Sequence, residues 1–241
     1  MPNFVSDKPI PHQQRLIMAL DVATTDLARH LVMELSDSVQ FYKVGMELFM
    51  AGDYFKFIDW LKQQNKQIFV DLKFFDVPET VARAIHSLSQ RGVDFATIHG
   101  NQSMMEAAAQ QKGNLKVLAV TALTSLDQGD LDDLGFQCSI ADLVLSRARR
   151  ALQAGCDGVI SSGLEIPALR EHIHQELLVV SPGIRPVENR AEDDQKRVVT
   201  VTDAFTNGAD YIVVGRPIRD SENPRNAALT IQQQIADVFT R

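Results

Sequence analysis

Eight short apolar runs recur along the chain, and amphipathic stretches separate them. The runs have the Val, Ile, Leu and Phe content of buried β-strands and cover residues 16–20, 41–44, 67–72, 95–98, 117–120, 159–161, 178–180 and 211–214. Between the fifth and sixth runs, apolar residues at helical spacing occupy 140–152, after Ser139 and Asp142, which we interpret as a capping box. Strand and helix therefore alternate, which predicts a parallel sheet with right-handed crossovers.

A glycine-containing junction precedes three of the predicted strands. It reads Gly92-Val93-Asp94, Gly155-Cys156-Asp157 and Gly208-Ala209-Asp210, and the glycine can close a helix in the left-handed conformation. Eight strand-helix units in roughly 230 residues fit a closed barrel better than a doubly wound open sheet. We predict an α/β fold, a single-domain (β/α)8 TIM barrel over residues 15–241, with residues 1–14 as an N-terminal arm and residues 188–196 as a mobile loop.

The composition indicates which kinds of binding partner and which cell compartment to expect. The 24 basic and 31 acidic residues give a net charge of -7, which argues against a nucleic-acid partner and requires local cations for any anionic ligand. The only cysteines, Cys138 and Cys156, form no CxxC pair, and the histidines show no metal-ligand spacing, so we expect no disulfide framework and no zinc site. The polar N-terminus and the lack of a run of about 18 apolar residues predict a cytoplasmic protein without a membrane partner.

Charged residues stand at the ends of the first three predicted strands. Asp21 and Lys43 follow the first two, and Asp71 and Lys73 belong to the third. In barrels of this kind the active site lies at the carboxyl ends of the strands. Since side chains alternate along a strand, Asp71 and Lys73 share a face, which we predict points into the barrel. Isolated buried charges are disfavoured, so the two residues serve either as a simple salt bridge or as reaction machinery.

The segment after the third strand allows two interpretations of Asp76. Asp76-Val77-Pro78-Glu79 is a good helix start, with aspartate as the cap and proline in the first turn, and a catalytic role does not exclude capping. Lys73 beside carboxylates is favoured as the ammonium. It is therefore better suited to donating a proton to a carbanion than to forming a Schiff base, which needs a neutral amine.

Glycine and arginine recur after the last two predicted strands. Gly183 precedes Arg185, and Gly215 precedes Arg216. Barrels commonly bind a phosphate at this place through backbone N–H groups and a cation. A surface arginine is the ordinary explanation of either pair alone, but the two together predict a phosphate site.

These residues together resemble the orotidine 5'-phosphate decarboxylase family of bacterial type. The resemblance is carried, in order and over nearly the whole chain, by residues 19–21 (Ala-Leu-Asp), 43–45 (Lys-Val-Gly), 71–80 (Asp-Leu-Lys-Phe-Phe-Asp-Val-Pro-Glu-Thr), 123–125 (Leu-Thr-Ser), 182–186 (Pro-Gly-Ile-Arg-Pro) and 214–217 (Val-Gly-Arg-Pro). It implies the conversion of orotidine 5'-phosphate to uridine 5'-phosphate (UMP) and carbon dioxide, the last step of UMP biosynthesis, without metal or organic cofactor.

The resemblance also implies roles for individual residues. Lys73 would protonate carbon 6 of the pyrimidine ring, and Asp71 would lie near the departing carboxylate. Lys43, Asp71, Lys73 and Asp76 would form an alternating charged catalytic network, with Asp76 and Thr80 coming from the second subunit of a homodimer. The remaining substrate contacts would be made by Asp21 and Lys43 at the ribose, Thr124 and Ser125 at the base, and Arg185, Gln195, Gly215 and Arg216 at the phosphate. Position 75 is Phe where many bacterial relatives have histidine, so no role is implied there.

Two other functions fit parts of the pattern. A related barrel enzyme that acts on a sugar phosphate shares the Asp-x-Lys-x-x-Asp run but uses magnesium, and Lys43 would repel that cation. A non-catalytic barrel could bind a nucleotide monophosphate as a sensor, although it would have no need of Asp71, Lys73 and Asp76. Loss of activity on adding a chelator would favour the magnesium enzyme.

Overall fold

The computed structural model describes residues 4–185 and 198–240 and contains a closed barrel of eight parallel strands. Each strand pairs with the next along the chain, and the last pairs with the first, so the predicted fold class is confirmed. The strands are β1 (Leu16–Ala19), β2 (Phe41–Gly45), β3 (Gln67–Phe74), β4 (Phe95–Ile98), β5 (Lys116–Val120), β6 (Gly158–Ile160), β7 (Leu178–Ser181) and β8 (Tyr211–Val214).

Helices connect the strands around the outside of the barrel. In chain order they are α1 (Thr25–Leu35), α2 (Met46–Met50), α3 (Tyr54–Gln63), α4 (Pro78–Ser89), α5 (Gln102–Gln111), α6 (Gln128–Asp133), α7 (Ile140–Gln153), α8 (Ile166–His172), α9 (Val201–Thr206), α10 (Arg216–Arg219) and α11 (Pro224–Phe239), and a 3-10 turn covers His12–Gln14. Within the described ranges, none of these helices has both the length and the apolarity to cross a membrane.

The start of α7 differs in detail from its prediction. Ser139 is the N-cap, and its Oγ accepts a hydrogen bond from the Asp142 backbone N–H at 3.1 Å. The Asp142 carboxylate accepts from the Ser139 hydroxyl at 2.6 Å, where a capping box would have it accept from the Ser139 backbone. Only the first half of the predicted capping box is therefore correct, because the two short side chains bond to each other.

Alternation along the strands divides the core into two layers. One set of side chains fills the barrel interior and includes Ile17, Phe41, Phe69, Phe95 and Tyr211. The alternate set packs between the strands and the helices and forms the larger apolar layer. Both layers bury nearly all of their apolar surface, which is the main favourable term in folding. The carboxyl end of the barrel is open and lined partly by polar groups.

The repeated glycine junction builds the opposite end of the barrel. Gly92, Gly155 and Gly208 have φ of 64°, 84° and 106°, so the predicted left-handed conformation is confirmed. The aspartate two residues later accepts a hydrogen bond from the N–H of the second residue of the preceding strand in each case. The three carboxylate-to-nitrogen distances are all 2.8 Å and join Asp94 to Ile68, Asp157 to Val117 and Asp210 to Val179. The repeat therefore ties β3 to β4, β5 to β6 and β7 to β8.

The N-terminal segment packs against the same end of the barrel. Asp210, which has no exposed surface, accepts hydrogen bonds from Ser6 Oγ at 2.5 Å and Lys8 Nζ at 3.0 Å. Arg170 Nη2 lies 2.7 Å from the same carboxylate. Burial lowers the pKa of Lys8, while the charge of Asp210 opposes that shift. The charged residues of this network therefore lie at the amino end of the barrel, opposite the open carboxyl end.

Replacing Asp210 with alanine is expected to lower the free energy of unfolding by about 3–5 kcal/mol, because the substitution leaves Arg170 buried without its carboxylate. Urea denaturation measures the change. The matched control is Asp37→Ala, which removes an exposed carboxylate 2.6 Å from Arg225 and is expected to cost at most about 1 kcal/mol. Equal and small effects in both variants would contradict this account of the network.

Candidate active site

A cavity of about 420 Å³ opens at the carboxyl ends of the strands. Its wall is built by residues from most of the strands and the loops that follow them. The described side chains that carry charge there are Asp21, Lys43, Asp71, Lys73, Arg185, Arg216 and Arg219. Five cations and two carboxylates therefore surround one cavity in a protein whose net charge is -7. The local charge is the reverse of the global one and suits an anionic ligand.

Four of these side chains form a row of alternating charge along β1, β2 and β3. Lys43 Nζ lies 2.8 Å from Asp21 Oδ1 and 3.5 Å from Asp71 Oδ2. Lys73 Nζ lies 2.9 Å from Asp71 Oδ1. The order Asp21, Lys43, Asp71, Lys73 is thus a continuous network, and Lys73 is the member at its end.

The ionisation of the inner pair is set by the balance of burial and mutual attraction. Burial alone would raise the pKa of Asp71. The charges of Lys43 and Lys73, together with hydrogen bonds from Lys73 and Thr97, lower this pKa by more than burial raises it, so the net shift is downward. Burial lowers the pKa of Lys43, but Asp71 and Asp21 outweigh it, and the net shift is upward. Asp71 is therefore a carboxylate and Lys43 an ammonium throughout the neutral range.

A glycine and the extended end of β3 accompany the charged network. A Cβ atom at Gly45 would lie 3.1 Å from Lys43 Nζ and 3.3 Å from Asp21 Oδ1, so glycine leaves space for that ion pair. β3 runs two residues further than predicted, to Phe74, and Lys73 has a φ of 48°. Leu72 packs against the outer apolar layer, while Asp71 and Lys73 line the cavity.

The opposite wall comes from the loops after β7 and β8. It contains Gly183, Arg185, Gly215 and Arg216, and Gly183 has a φ of 78°. The backbone N–H of Arg185 donates to the Val199 carbonyl at 3.0 Å, which ties the two sides of this loop together at its base. Gln195 and the predicted loop at 188–196 lie outside the described residues.

The structure separates the other predicted site residues into two groups. Thr124 and Ser125 line the cavity beside the charged row. Asp76 and Thr80 are not among the described residues that line the cavity. Asp76 is exposed and Thr80 partly buried in the single chain, so neither contributes to this cavity within one chain.

The prediction that Asp76 caps the following helix is wrong. The N-cap of α4 is Val77, which has no capping side chain. The Asp76 carboxylate instead accepts a hydrogen bond from the adjacent Val77 N–H at 2.6 Å. The helix begins one residue later than expected because Pro78 takes its first position, where the missing N–H costs nothing.

Two residues of the site were absent from the sequence predictions. Thr97 on β4 donates its hydroxyl hydrogen to Asp71 Oδ1 at 2.9 Å, and its position two residues after the inward-facing Phe95 could have revealed it. Arg219 lines the cavity and donates to the Asp21 carbonyl and to the Asp220 carboxylate. A second arginine soon after Gly215-Arg216 was the available signal for it.

A closed (β/α)8 barrel with an ion-paired lysine and a cation-rich wall at the carboxyl ends of its strands defines the class: a barrel enzyme for an anionic substrate. The sequence profile of the orotidine 5'-phosphate decarboxylase / HUMPS family matches residues 14–231. The chain therefore belongs to this family, and its relatives identify it as a carboxy-lyase.

Individual relatives agree with the family over almost the whole chain. The chain is 70% identical to the orotidine 5'-phosphate decarboxylase of Methylococcus capsulatus, with 99% of both chains covered. It is 46% identical to that of Nitrobacter winogradskyi, with 94% of this chain and 95% of the relative covered. The crystal structure of the Lactobacillus acidophilus orotidine 5'-phosphate decarboxylase is similar at a TM-score of 0.81 and 35% identity, with 92% of this chain and 99% of that chain covered.

Proposed function

We propose that this chain decarboxylates orotidine 5'-phosphate to UMP and carbon dioxide, in the cytoplasm, as the last step of UMP biosynthesis. The observation that carries the proposal is the Asp21-Lys43-Asp71-Lys73 row facing a wall with Arg185 and Arg216 across one cavity. Family membership supports the substrate, and the row supports the chemistry. The proposal thus combines a reaction class with named residues.

We assign the parts of the substrate to the two walls from the family resemblance, and the charge of each wall supports the assignment. The phosphate lies at Gly183, Arg185, Gly215 and Arg216, where backbone N–H groups and guanidinium ions favour it. We assign Gln195 to the same phosphate on the family resemblance alone. Asp21 and Lys43 hold the ribose hydroxyls, and Thr124 and Ser125 border the base. Binding of the phosphate, remote from the reacting bond, holds the ring against the charged row.

The chemical step uses Asp71 and Lys73. The bond between carbon 6 and the carboxylate carbon breaks, carbon dioxide leaves, and the electron pair remains on carbon 6. Lys73, an ammonium hydrogen-bonded to Asp71 at 2.9 Å, transfers a proton to carbon 6 and is reprotonated by solvent. Asp71 lies near the departing carboxylate and fixes the direction of the lysine, and the preorganised charges stabilise the transition state.

The position of Lys43 supports a reaction that needs no metal or organic cofactor. Its ammonium lies between Asp21 and Asp71, the two carboxylates that a divalent cation at this place would bridge. A magnesium ion would have to displace or repel that charge. The related enzymes that act on sugar phosphates with magnesium are therefore disfavoured.

The test is to follow the absorbance of orotidine 5'-phosphate with the wild-type protein before and after treatment with a chelator. We expect turnover of equal rate in both samples. Complete loss of activity that magnesium restores would favour the magnesium-dependent reaction. Binding of UMP without turnover of orotidine 5'-phosphate would favour the non-catalytic sensor.

We also propose a homodimer in which Asp76 and Thr80 of each chain complete the site of the other. Phe75 and Val77, on either side of Asp76, are 67% and 61% exposed. Phe75 lines an apolar groove of about 1040 Å³ that shares Lys73 and Leu123 with the active-site cavity. Exposed apolar surface of this extent is typical of a protein interface, and its place beside Lys73 would bring a partner chain to the site.

Replacing Arg216 with alanine is expected to raise KM by about 10- to 100-fold, because a charge-assisted contact with the phosphate is lost. Steady-state kinetics with orotidine 5'-phosphate measures the change. Arg225→Ala is the control, since Arg225 pairs with Asp37 at 2.6 Å and is not among the residues that line the cavity. An unchanged KM in Arg216→Ala would contradict the assignment of the phosphate wall.

A further inference from the structure

The backbone of Lys73 has an unusual conformation within a strand. Four described residues other than glycine have positive φ, namely Ser36, Asp53, Asn65 and Lys73. The first three flank helices or lie in a turn, whereas Lys73 is inside β3. A residue other than glycine with its backbone in the left-handed region is strained, and this conformation persists only when the surrounding structure fixes it. A specific contact must therefore fix the backbone of Lys73.

The pairing of β3 with β4 is interrupted at this point. Val70 pairs with Ala96 and Phe74 with Ile98, with a register shift between the two pairs. The Lys73 N–H lies within that shift and donates to Thr97 Oγ1 at 2.9 Å. A side-chain hydroxyl thus takes the place of a backbone partner in the ladder.

The same hydroxyl also holds the catalytic carboxylate. Thr97 Oγ1 donates to Asp71 Oδ1 at 2.9 Å, the oxygen that accepts from Lys73 Nζ at 2.9 Å. Thr97 has no exposed surface, so water does not compete for these bonds. The Thr97 hydroxyl accepts a hydrogen bond from the backbone N–H of Lys73 and uses its single hydrogen to donate to Asp71, the partner of the Lys73 side chain.

We infer that Thr97 is a positioning residue for the reaction: its hydroxyl fixes the Asp71 carboxylate and the Lys73 backbone in the geometry from which Lys73 reaches carbon 6. The inference rests on the proposed function. Thr97 does not touch the substrate, because the described residues that line the cavity do not include it. Its effect is exerted through Asp71 and Lys73, so it belongs to the chemical step and not to binding.

The experiment compares Thr97→Val with Thr97→Ser in steady-state kinetics with orotidine 5'-phosphate. Valine keeps the shape and removes the hydroxyl, and we expect kcat to fall by about 10- to 100-fold, the effect of one hydrogen bond to a charged group. KM is expected to stay within about twofold, since the phosphate wall is intact. Serine retains the hydroxyl and is expected to restore most of kcat.

Thr121→Val is the matched control. Thr121 is also fully buried, and its hydroxyl donates to the Ile160 carbonyl at 2.8 Å, outside the charged row. Thr97→Val removes two buried hydrogen bonds and Thr121→Val removes one, so urea denaturation should show a loss of stability in both variants, while kcat should fall only in Thr97→Val.

Three results would overturn the inference: a wild-type kcat in Thr97→Val, an equal loss of kcat in Thr121→Val, or no recovery in Thr97→Ser. In each of these the wild type still turns over orotidine 5'-phosphate, so the proposed function stands. A wild type without turnover overturns the proposed function and the inference together.

Discussion

Replacing Lys73 with alanine is expected to lower kcat for orotidine 5'-phosphate by about 10⁴-fold, the upper range for removing a general acid. The ammonium is the proton donor to carbon 6, and it also places positive charge beside the carbanion as that charge develops. Its removal leaves Asp71 paired with Lys43 at 3.5 Å and without the hydrogen bond from Lys73 Nζ. The decay of substrate absorbance under saturating substrate measures the effect.

Lys112→Ala is the control for this substitution. Lys112 Nζ lies 2.8 Å from Asp157, and its side chain is 22% exposed, against 34% for Lys73. The two lysines are thus similarly paired and buried, but Lys112 lies beside a Gly-x-Asp junction at the opposite end of the barrel. Wild-type kcat in Lys112→Ala with a collapse in Lys73→Ala supports the assignment, and a kcat in Lys73→Ala within tenfold of the wild type would refute it.

Mixing inactive Lys73→Ala and Asp76→Ala chains is expected to restore about one quarter of the wild-type activity. In a random mixture half of the dimers are hybrids, and each hybrid has one site with both Lys73 and the Asp76 of the other chain intact. The partner's contribution is the reason for the recovery. The chains are co-refolded so that subunits exchange, and activity is compared with the unmixed samples.

A second mixture tests whether recovery comes from site sharing. Asp71 and Lys73 are bonded within one chain at 2.9 Å, so a hybrid of Lys73→Ala and Asp71→Ala has a defect in both sites. We expect no recovery there. Recovery in both mixtures would point to a general effect of mixing, and recovery in neither would count against the shared site.

The barrel was predictable because its signals are local and repeated. The eight apolar runs match the eight strands to within a few residues, and Gly92, Gly155 and Gly208 take the predicted conformation. Each of these signals is read from residues close together in the sequence, either from the alternation of strand and helix patterns or from a glycine at the end of a helix. The clamp made by Asp94, Asp157 and Asp210 was not predicted, because it joins each aspartate to a strand 26–40 residues away.

The site was less predictable where contacts between strands determine it. The positions of Asp21, Lys43, Asp71 and Lys73 at strand ends indicated a charged cluster, and the structure places them in one row. The left-handed Lys73 was not foreseen, because it depends on a register shift with β4 and on Thr97. The cap at Asp76 was wrong for a local reason, because Pro78 takes the first helical position and makes Val77 the N-cap.

The most direct test of the central claim is to identify the products that the wild-type protein forms from orotidine 5'-phosphate in D₂O after treatment with a chelator. We predict one carbon dioxide and one UMP for each substrate consumed, with deuterium at carbon 6 delivered from the exchanged ammonium of Lys73. Unchanged substrate, or a product that retains the carboxylate, would contradict the account.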